Sequence, residues 1–270
     1  MPELPEVETI RRSLLPRLKG AVVRSVTVAE RRLRRGIARD FEARLSGRRI
    51  LDIGRRGKYL LFDLDGEDQL LVHLGMSGSL ELKRSDAPDE AHDHVRLVLD
   101  RGRAVVFNDP RRFGLMRIAH RADLTELENV GPDPLAEDWS ADRLRPLVRG
   151  RKRPIKNLLM DQALLGGIGN IYANEILFHA GIRPTRPART LRQRELETLA
   201  HVTQLVLADA VRLGGSSISD FRDSNGRPGY FQLQLAVYDR AGEPCRRCAT
   251  PIRRIVLAGR SSFYCRRCQR

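Results

Sequence analysis

No stretch of this 270-residue chain approaches the ~18 consecutive apolar residues of a membrane-crossing helix, which argues against a helical membrane span. The first residues, MPELPEVETI, lack the basic start and apolar core of a signal peptide, so a cytoplasmic protein is expected. Cysteine is scarce: there are four, all in the last 26 residues, and a cytosolic setting disfavours reading them as disulfides. Internal repeats and low-complexity tracts are absent, which sets aside repeat architectures. Acid is in deficit, with 34 Asp and Glu against 49 Lys and Arg.

That deficit leaves a formal charge of +15 and a sequence pI near 10.7. Such an excess points first to a polyanion, most often nucleic acid. The cations are clustered: seven Lys and Arg with no acid lie between Arg143 and Lys156, and eight arginines with one acid lie between Ala241 and Arg270. Hydrophobic residues make up 41%, enough for real cores, and the length suits two domains or one with appendages.

Val7, Ile10, Leu14 and Leu18 recur at helical spacing, which predicts an amphipathic helix from Pro5 to Lys19, with Gly20 as its stop and Pro16 tightening the last turn. Short β-branched or alternating runs follow at 21–28, 48–53, 59–64, 70–74, 94–99 and 104–107. Separated by Gly57, Asp65-Gly66 and Gly102, they suggest an antiparallel sandwich or barrel. Gly-Pro-Asp-Pro at 131–134 reads as a linker, and helical stretches follow at 158–165, 174–180 and 191–213. The last ends at Gly214-Gly215.

The cysteines form two knuckles, Cys245-x2-Cys248 and Cys265-x2-Cys268, separated by sixteen residues. Two such knuckles offer four soft thiolates to one tetrahedral Zn²⁺, and four protein ligands leave no open position for catalysis. A short tail with little apolar material needs the metal to fold. A zinc ribbon on a basic chain fits a non-catalytic nucleic-acid binder as well as an enzyme.

The N-terminus carries a second signal. A small residue at position 2 generally permits removal of Met1, which would expose Pro2 as a secondary amine. An α-amino group titrates near ~8, below lysine, so part of it is unprotonated at neutral pH. Its adduct with a sugar carbon would be an iminium with no N–H to lose, a lasting electron sink. Glu3 and Glu6 place carboxylates beside it for acid–base work. The alternative is that Pro2 and Glu3 merely begin the first helix, where proline and acids are welcome.

PELPEVET resembles the start of the formamidopyrimidine-DNA glycosylase family. The resemblance continues through RRGKYLLF (55–62), HLGMSGSL (73–80), HDHV (92–95), NDPRRFG (108–114), LMDQALLGGIGNIYANEILFHAGI (159–182), GRPGYF (226–231) and the two cysteine knuckles. These blocks span the chain in the family's order. Endonuclease VIII is a sister with the same architecture, but it typically begins PEGPE.

The resemblance implies an α+β, multi-domain chain. An N-terminal helix with a two-layer antiparallel β-sandwich would occupy 1–130, a helix-two-turn-helix domain 131–230, and a zinc-finger hairpin 235–270. It implies a bifunctional glycosylase and apurinic/apyrimidinic lyase that removes 8-oxoguanine and formamidopyrimidines from duplex DNA as a monomer, among the nucleoid of a bacterial cytoplasm. Pro2 would attack C1′, Glu3 would protonate the sugar ring oxygen, Lys58 would serve β-elimination and Arg260 δ-elimination. Met76, Arg111 and Phe113 would fill the hole left by the flipped nucleotide, since base chemistry requires the base out of the stack. His92, Arg151, Lys156 and Asn170 would contact phosphate. Cys245, Cys248, Cys265 and Cys268 would hold one structural Zn²⁺. The stretch 216–230 would cover the flipped base. The sister preference for oxidised pyrimidines, and a lesion-binding protein without catalysis, are the alternatives.

Overall fold

The apolar stripe at 7, 10, 14 and 18 is buried along one face of helix α1 (Leu4–Leu18) in the computed structural model, which describes residues 2–217 and 221–270. Glu3 is the N-cap, and Pro5 lies in the first turn, where a missing N–H costs nothing. Pro16 sits within the last turn, and the Lys19 N–H still reaches the Leu15 carbonyl at 3.0 Å. Gly20 ends the helix with φ +79°, a conformation that glycine adopts freely.

The chain forms two compact units, and neither is continuous in sequence. The first comprises Met1–Glu128 with Leu213–Tyr230, the second Asn129–Arg212 with Phe231–Arg270. In the first, α1 leads to strand β1 (Val23–Val28), helix α2 (Phe41–Leu45), and strands β2 (Ile50–Arg56), β3 (Tyr59–Leu64) and β4 (Asp68–His73). Then come β5 (Ser79–Arg84), β6 (Asp93–Leu99), β7 (Arg103–Asn108) and β8 (Leu115–His120). They form two four-stranded antiparallel sheets, ordered β1-β6-β7-β5 and β2-β3-β4-β8. Alternation decides which residues face inward: along β3, Leu60, Phe62 and Leu64 are buried while their neighbours are partly exposed. Those three join Val72, Val95, Leu97, Val105 and Phe107 of both sheets, and Ile10 and Leu14 of α1, in one core. The sandwich expectation holds. Strands β5 and β8 escape the sequence reading because polar and charged residues, such as Glu81 and Arg117, interrupt their apolar runs.

The second unit holds helices α3 (Ala141–Val148), α4 (Ile155–Leu159), α5 (Asn170–His179) and α6 (Gln193–Arg212), then strands β9 (Arg253–Leu257) and β10 (Arg260–Tyr264). Trp139 donates its indole N–H to the Ala200 carbonyl at 3.1 Å, pinning the entry segment to α6. Helix α5 begins at Asn170, four residues earlier than its apolar pattern predicts, because the turn at 166–169 delivers the chain directly into it.

One boundary differs from the sequence reading, which assigns 213–230 to the helical domain. That segment packs with the first unit instead. Ser216 donates its N–H to Glu6, Ser224 donates its hydroxyl to Ser13, and the Ser224 carbonyl accepts the Leu82 N–H. Residues 218–220, part of the expected base-covering loop, lie outside the described residues, as does Met1.

Candidate functional site

The head of α1 is a capping box. The Glu3 side chain receives the backbone N–H of Glu6, and Glu6 Oε2 receives the Glu3 N–H at 2.8 Å. Reciprocal capping satisfies helix donors that would otherwise be orphaned. Both glutamates are 2% exposed, and Pro2, one residue before the cap, is buried too. Two carboxylates are thus held next to Pro2. The other oxygen of Glu6 receives the Ser216 N–H at 2.7 Å.

Lys58 occupies the tight turn between β2 and β3, where Gly57 takes φ +56°. That turn is tied to α1 by Glu8, a residue the sequence reading passes over. Glu8 Oε2 accepts from Arg55 Nε at 3.0 Å, and Arg55 Nη1 donates to the Gly57 carbonyl at 3.1 Å. Burial pushes the Glu8 carboxyl up, but hydrogen bonds from Arg11 and Arg12 and the Arg55 charge outweigh it and hold it at about 2. His73 is a second overlooked group. Burial first, then the charges of Lys58 and Arg34, depress it to about 4, so it is neutral at pH 7. Its Nδ1 accepts the Gly75 N–H at 3.0 Å, and its ring packs on Tyr59 at 4.8 Å.

Met76 and Phe113 are 39% and 45% exposed in a protein that buries most large apolar side chains. The Arg111 guanidinium lies 4.8 Å from the Phe113 ring centroid, a cation–π contact. Their two loops approach closely through backbone at Gly75: a Cβ there would lie 2.4 Å from the Phe113 carbonyl carbon, and Gly75 also requires φ +65°. His92, exposed and left-handed at φ +71°, flanks β6. The structure therefore gathers Met76, His92, Arg111 and Phe113 on the first unit.

On the second unit, Arg151 is exposed just after α3. Asn170 opens α5, and its Oδ1 is buried with no hydrogen-bond partner among the described residues. Gln162 props the glycine turn before it, accepting the Gly167 N–H at 2.9 Å and donating to the Ile168 carbonyl at 2.7 Å. Arg260 is exposed at the tip of the β9–β10 hairpin, displayed by a two-residue turn in which Ala258 and Gly259 both have positive φ.

Lys156 departs from expectation. It is fully buried, and its ammonium donates to the Ser261 carbonyl at 2.8 Å and to Ser262 Oγ at 2.7 Å. A cation enclosed in this way does not meet a phosphate, and the expected contact is corrected to a role in holding β10. Helix α5 grips the same hairpin through Asn174, whose Oδ1 receives the Phe263 N–H at 2.7 Å, and it holds the segment before the hairpin through Glu175, which receives the N–H groups of Ala236, Val237 and Tyr238.

The ligand atoms of Cys245, Cys248, Cys265 and Cys268 all lie within 4.8 Å of one another, and no disulfide joins them. Sulfur–sulfur distances of 3.9 Å and 3.4 Å fit the ~3.8 Å edge of a tetrahedron with Zn–S bonds near 2.3 Å. The four cysteines form the site of one structural zinc ion.

Three family models match the chain. The formamidopyrimidine-DNA glycosylase N-terminal domain covers residues 1–116, the formamidopyrimidine-DNA glycosylase H2TH domain 130–222, and the zinc finger found in FPG and IleRS 242–270. The formamidopyrimidine-DNA glycosylase of Thiobacillus denitrificans is 50% identical over 271 residues, covering 100% of both chains. The MutM (FPG) protein of Thermus thermophilus is similar in structure, with a TM-score of 0.88 at 44% identity over 99% of this chain and 98% of that one. So is the Lactococcus lactis FPG solved with a FAPY-dG containing DNA, at a TM-score of 0.90 and 34% identity over 99% and 100% of the two chains.

Proposed function

This chain belongs to the formamidopyrimidine-DNA glycosylase family, and we propose that it excises oxidised purines from duplex DNA and then cuts the strand. It is a base-excision repair glycosylase with one structural zinc ion. The reading rests on the head of α1, where Pro2 adjoins the capping carboxylate of Glu3 and Glu6 anchors the Glu3 N–H.

Removal of Met1 frees the Pro2 nitrogen. Its lone pair attacks C1′, the C1′–N9 bond breaks, and the base departs with the bonding electrons and a proton. Glu3 donates a proton to O4′, the sugar opens, and the nitrogen lone pair forms the C1′ iminium. That cation acidifies the C2′ hydrogens. Loss of one expels the 3′ phosphate, a step served by Lys58. A second elimination, served by Arg260, expels the 5′ phosphate and leaves a one-nucleotide gap. Zinc takes no part in these steps; its role is to fold the hairpin that displays Arg260.

Met76, Arg111 and Phe113 suit the space left by an extruded nucleotide: a flexible thioether, a planar cation and an aromatic wedge. His92, Arg151 and Asn170 are proposed to hold phosphates. The chain is proposed to work as a monomer in the cytoplasm; among the described residues no helix is long and apolar enough to cross a membrane.

Borohydride trapping on a duplex with one 8-oxoguanine opposite cytosine tests this reading, with mass spectrometry locating the adduct. The expected adduct is on Pro2, and Pro2→Gly loses it while retaining DNA binding. An adduct formed only with an oxidised pyrimidine would move the activity to the endonuclease VIII type. No adduct with either would leave a lesion binder.

A further inference from the structure

Asp109 is 0% exposed, yet none of the chemistry above uses it. Its Oδ1 accepts the Ser77 hydroxyl at 2.7 Å, and its Oδ2 accepts the Gly114 N–H at 2.7 Å. Its carbonyl accepts from His94 Nε2 at 2.8 Å and from the Arg112 N–H at 3.1 Å, and its own N–H donates to the His92 carbonyl at 3.1 Å. Ser77 Oγ in turn accepts the Arg111 N–H at 3.3 Å.

These bonds hold the backbone at or next to Met76, His92, Arg111 and Phe113. Ser77 follows Met76, Gly114 follows Phe113, Arg111 is bonded to Ser77, and His92 is bonded through its carbonyl. At Gly75 the two loops they join pack backbone to backbone, with no room for a Cβ against Phe113. Gly114 is as crowded: a Cβ there would lie 2.5 Å from Phe107 Cζ and 3.1 Å from Asp109 Oδ2. Where two loops meet without interlocking apolar side chains, hydrogen bonds such as those of Ser77 and Asp109 keep their register.

We propose that Asp109 is a positioning residue that locks the Met76 loop to the Arg111–Phe113 loop as one rigid wedge for duplex DNA, an inference that rests on the glycosylase reading. A carboxylate suits the site because two donors, an O–H and an N–H, arrive at different oxygens, and it accepts both without reorienting the serine hydroxyl. An amide offers one acceptor in place of two. Preorganisation matters because opening a base pair is opposed by stacking and pairing, and a wedge that must first order itself adds to that barrier.

The test compares two substrates. One is a duplex with 8-oxoguanine opposite cytosine, which requires extrusion. The other is a single-stranded oligonucleotide with an abasic site, which requires none. For Asp109→Ala, kcat/KM on the duplex is expected to fall roughly 10- to 100-fold, the range for losing buried hydrogen bonds, while single-strand cleavage falls only a few-fold. Asp109→Asn, which replaces one acceptor oxygen by an NH2, and Ser77→Ala, which loses the bonds to Asp109 and Arg111 but keeps the Asp109–Gly114 bond, fall between. A 2-aminopurine beside the lesion reports slower extrusion in the same order. Should Asp109→Ala fail to fold, the two milder variants carry the comparison. Wild-type rates on the duplex in all folded variants, or equal losses on both substrates, would overturn the proposal. Inactivity of the unmodified protein on both substrates would instead bring down the glycosylase reading and this inference with it.

Discussion

The Glu6 carboxylate receives the backbone N–H of Ser216 at 2.7 Å, joining the head of α1 to a segment 210 residues further along the chain. Its second oxygen receives the Glu3 N–H at 2.8 Å, so one side chain fixes both the residue beside Pro2 and the start of the 216–230 segment. Gly215 leaves little room for slippage: a Cβ there would lie 3.0 Å from Glu6 Cγ and Oε1. Glu6→Gln keeps the shape but offers one acceptor to two N–H groups. Turnover of an 8-oxoguanine duplex should fall on the order of 10-fold or more, with duplex affinity nearly unchanged. Equal losses in affinity and turnover would show that Glu6 acts in binding instead.

Lys156 and Arg151 lie five residues apart yet should respond in opposite ways. Lys156→Met leaves the Ser261 carbonyl and Ser262 hydroxyl without their buried donor, which should cost about 1–3 kcal/mol of stability, with the salt dependence of DNA binding unchanged. Arg151→Ala should leave the melting temperature alone and reduce the slope of log affinity against log salt by about 1. A reduced salt slope for Lys156→Met would restore it to phosphate contact.

Zinc removal should act locally first. Metal contributes on the order of 10–16 kcal/mol of apparent folding free energy to such sites, while the hairpin's own core is small, built on Phe178, Val237, Ile252 and Phe263. Chelation should therefore abolish hydrogen-exchange protection at the Phe263 N–H, now held by Asn174, before that of α6. DNA affinity should fall with it. Full affinity in metal-free protein would contradict a folding role for the ion.

Acid should weaken the fold in two stages. His73 titrates near 6.5 in the unfolded chain and at about 4 in the folded one, so the unfolded state binds the proton first. Its contribution is complete above pH 6.5, is lost as pH falls towards 4, and amounts to roughly 3 kcal/mol at most. Glu8, held at about 2 against an ordinary 4.5, adds stability above pH 4.5 that is lost as pH falls to 2. His73→Asn presents an oxygen to the Gly75 N–H without titrating. Unfolding in denaturant should show a flatter slope between pH 6.5 and 4 for this variant, and an unchanged slope would assign the stage to another group.

Helix α1, strand β3 and the four-cysteine cluster are legible because their signals are local. The 7-10-14-18 spacing, the alternation through 60, 62 and 64, and the CxxC pairs each lie within one element or between two knuckles. Strands β5 and β8 are not, because their polar residues are tolerated by sheet position and not by any pattern along the strand. Helix α3, with Pro146 inside it, is not among the helical stretches that the sequence predicts, where its residues stand out only by their positive charge. Among the candidate residues, Met76 and Phe113 look like core by type; only the fold leaves them exposed.

The sequence by itself determined the secondary-structure periods, the zinc ligand set, the basic charge and the family. Each depends on residue type and spacing, which no folding is needed to reveal. Tertiary structure alone decided that 213–230 joins the first unit, that Lys156 faces the hairpin, and that Asp109 and Glu6 hold distant loops. Those outcomes turn on which buried acceptor lies within about 3 Å of which donor. A chain brings such pairs together only when separate elements pack, so nothing in the order of residues announces them.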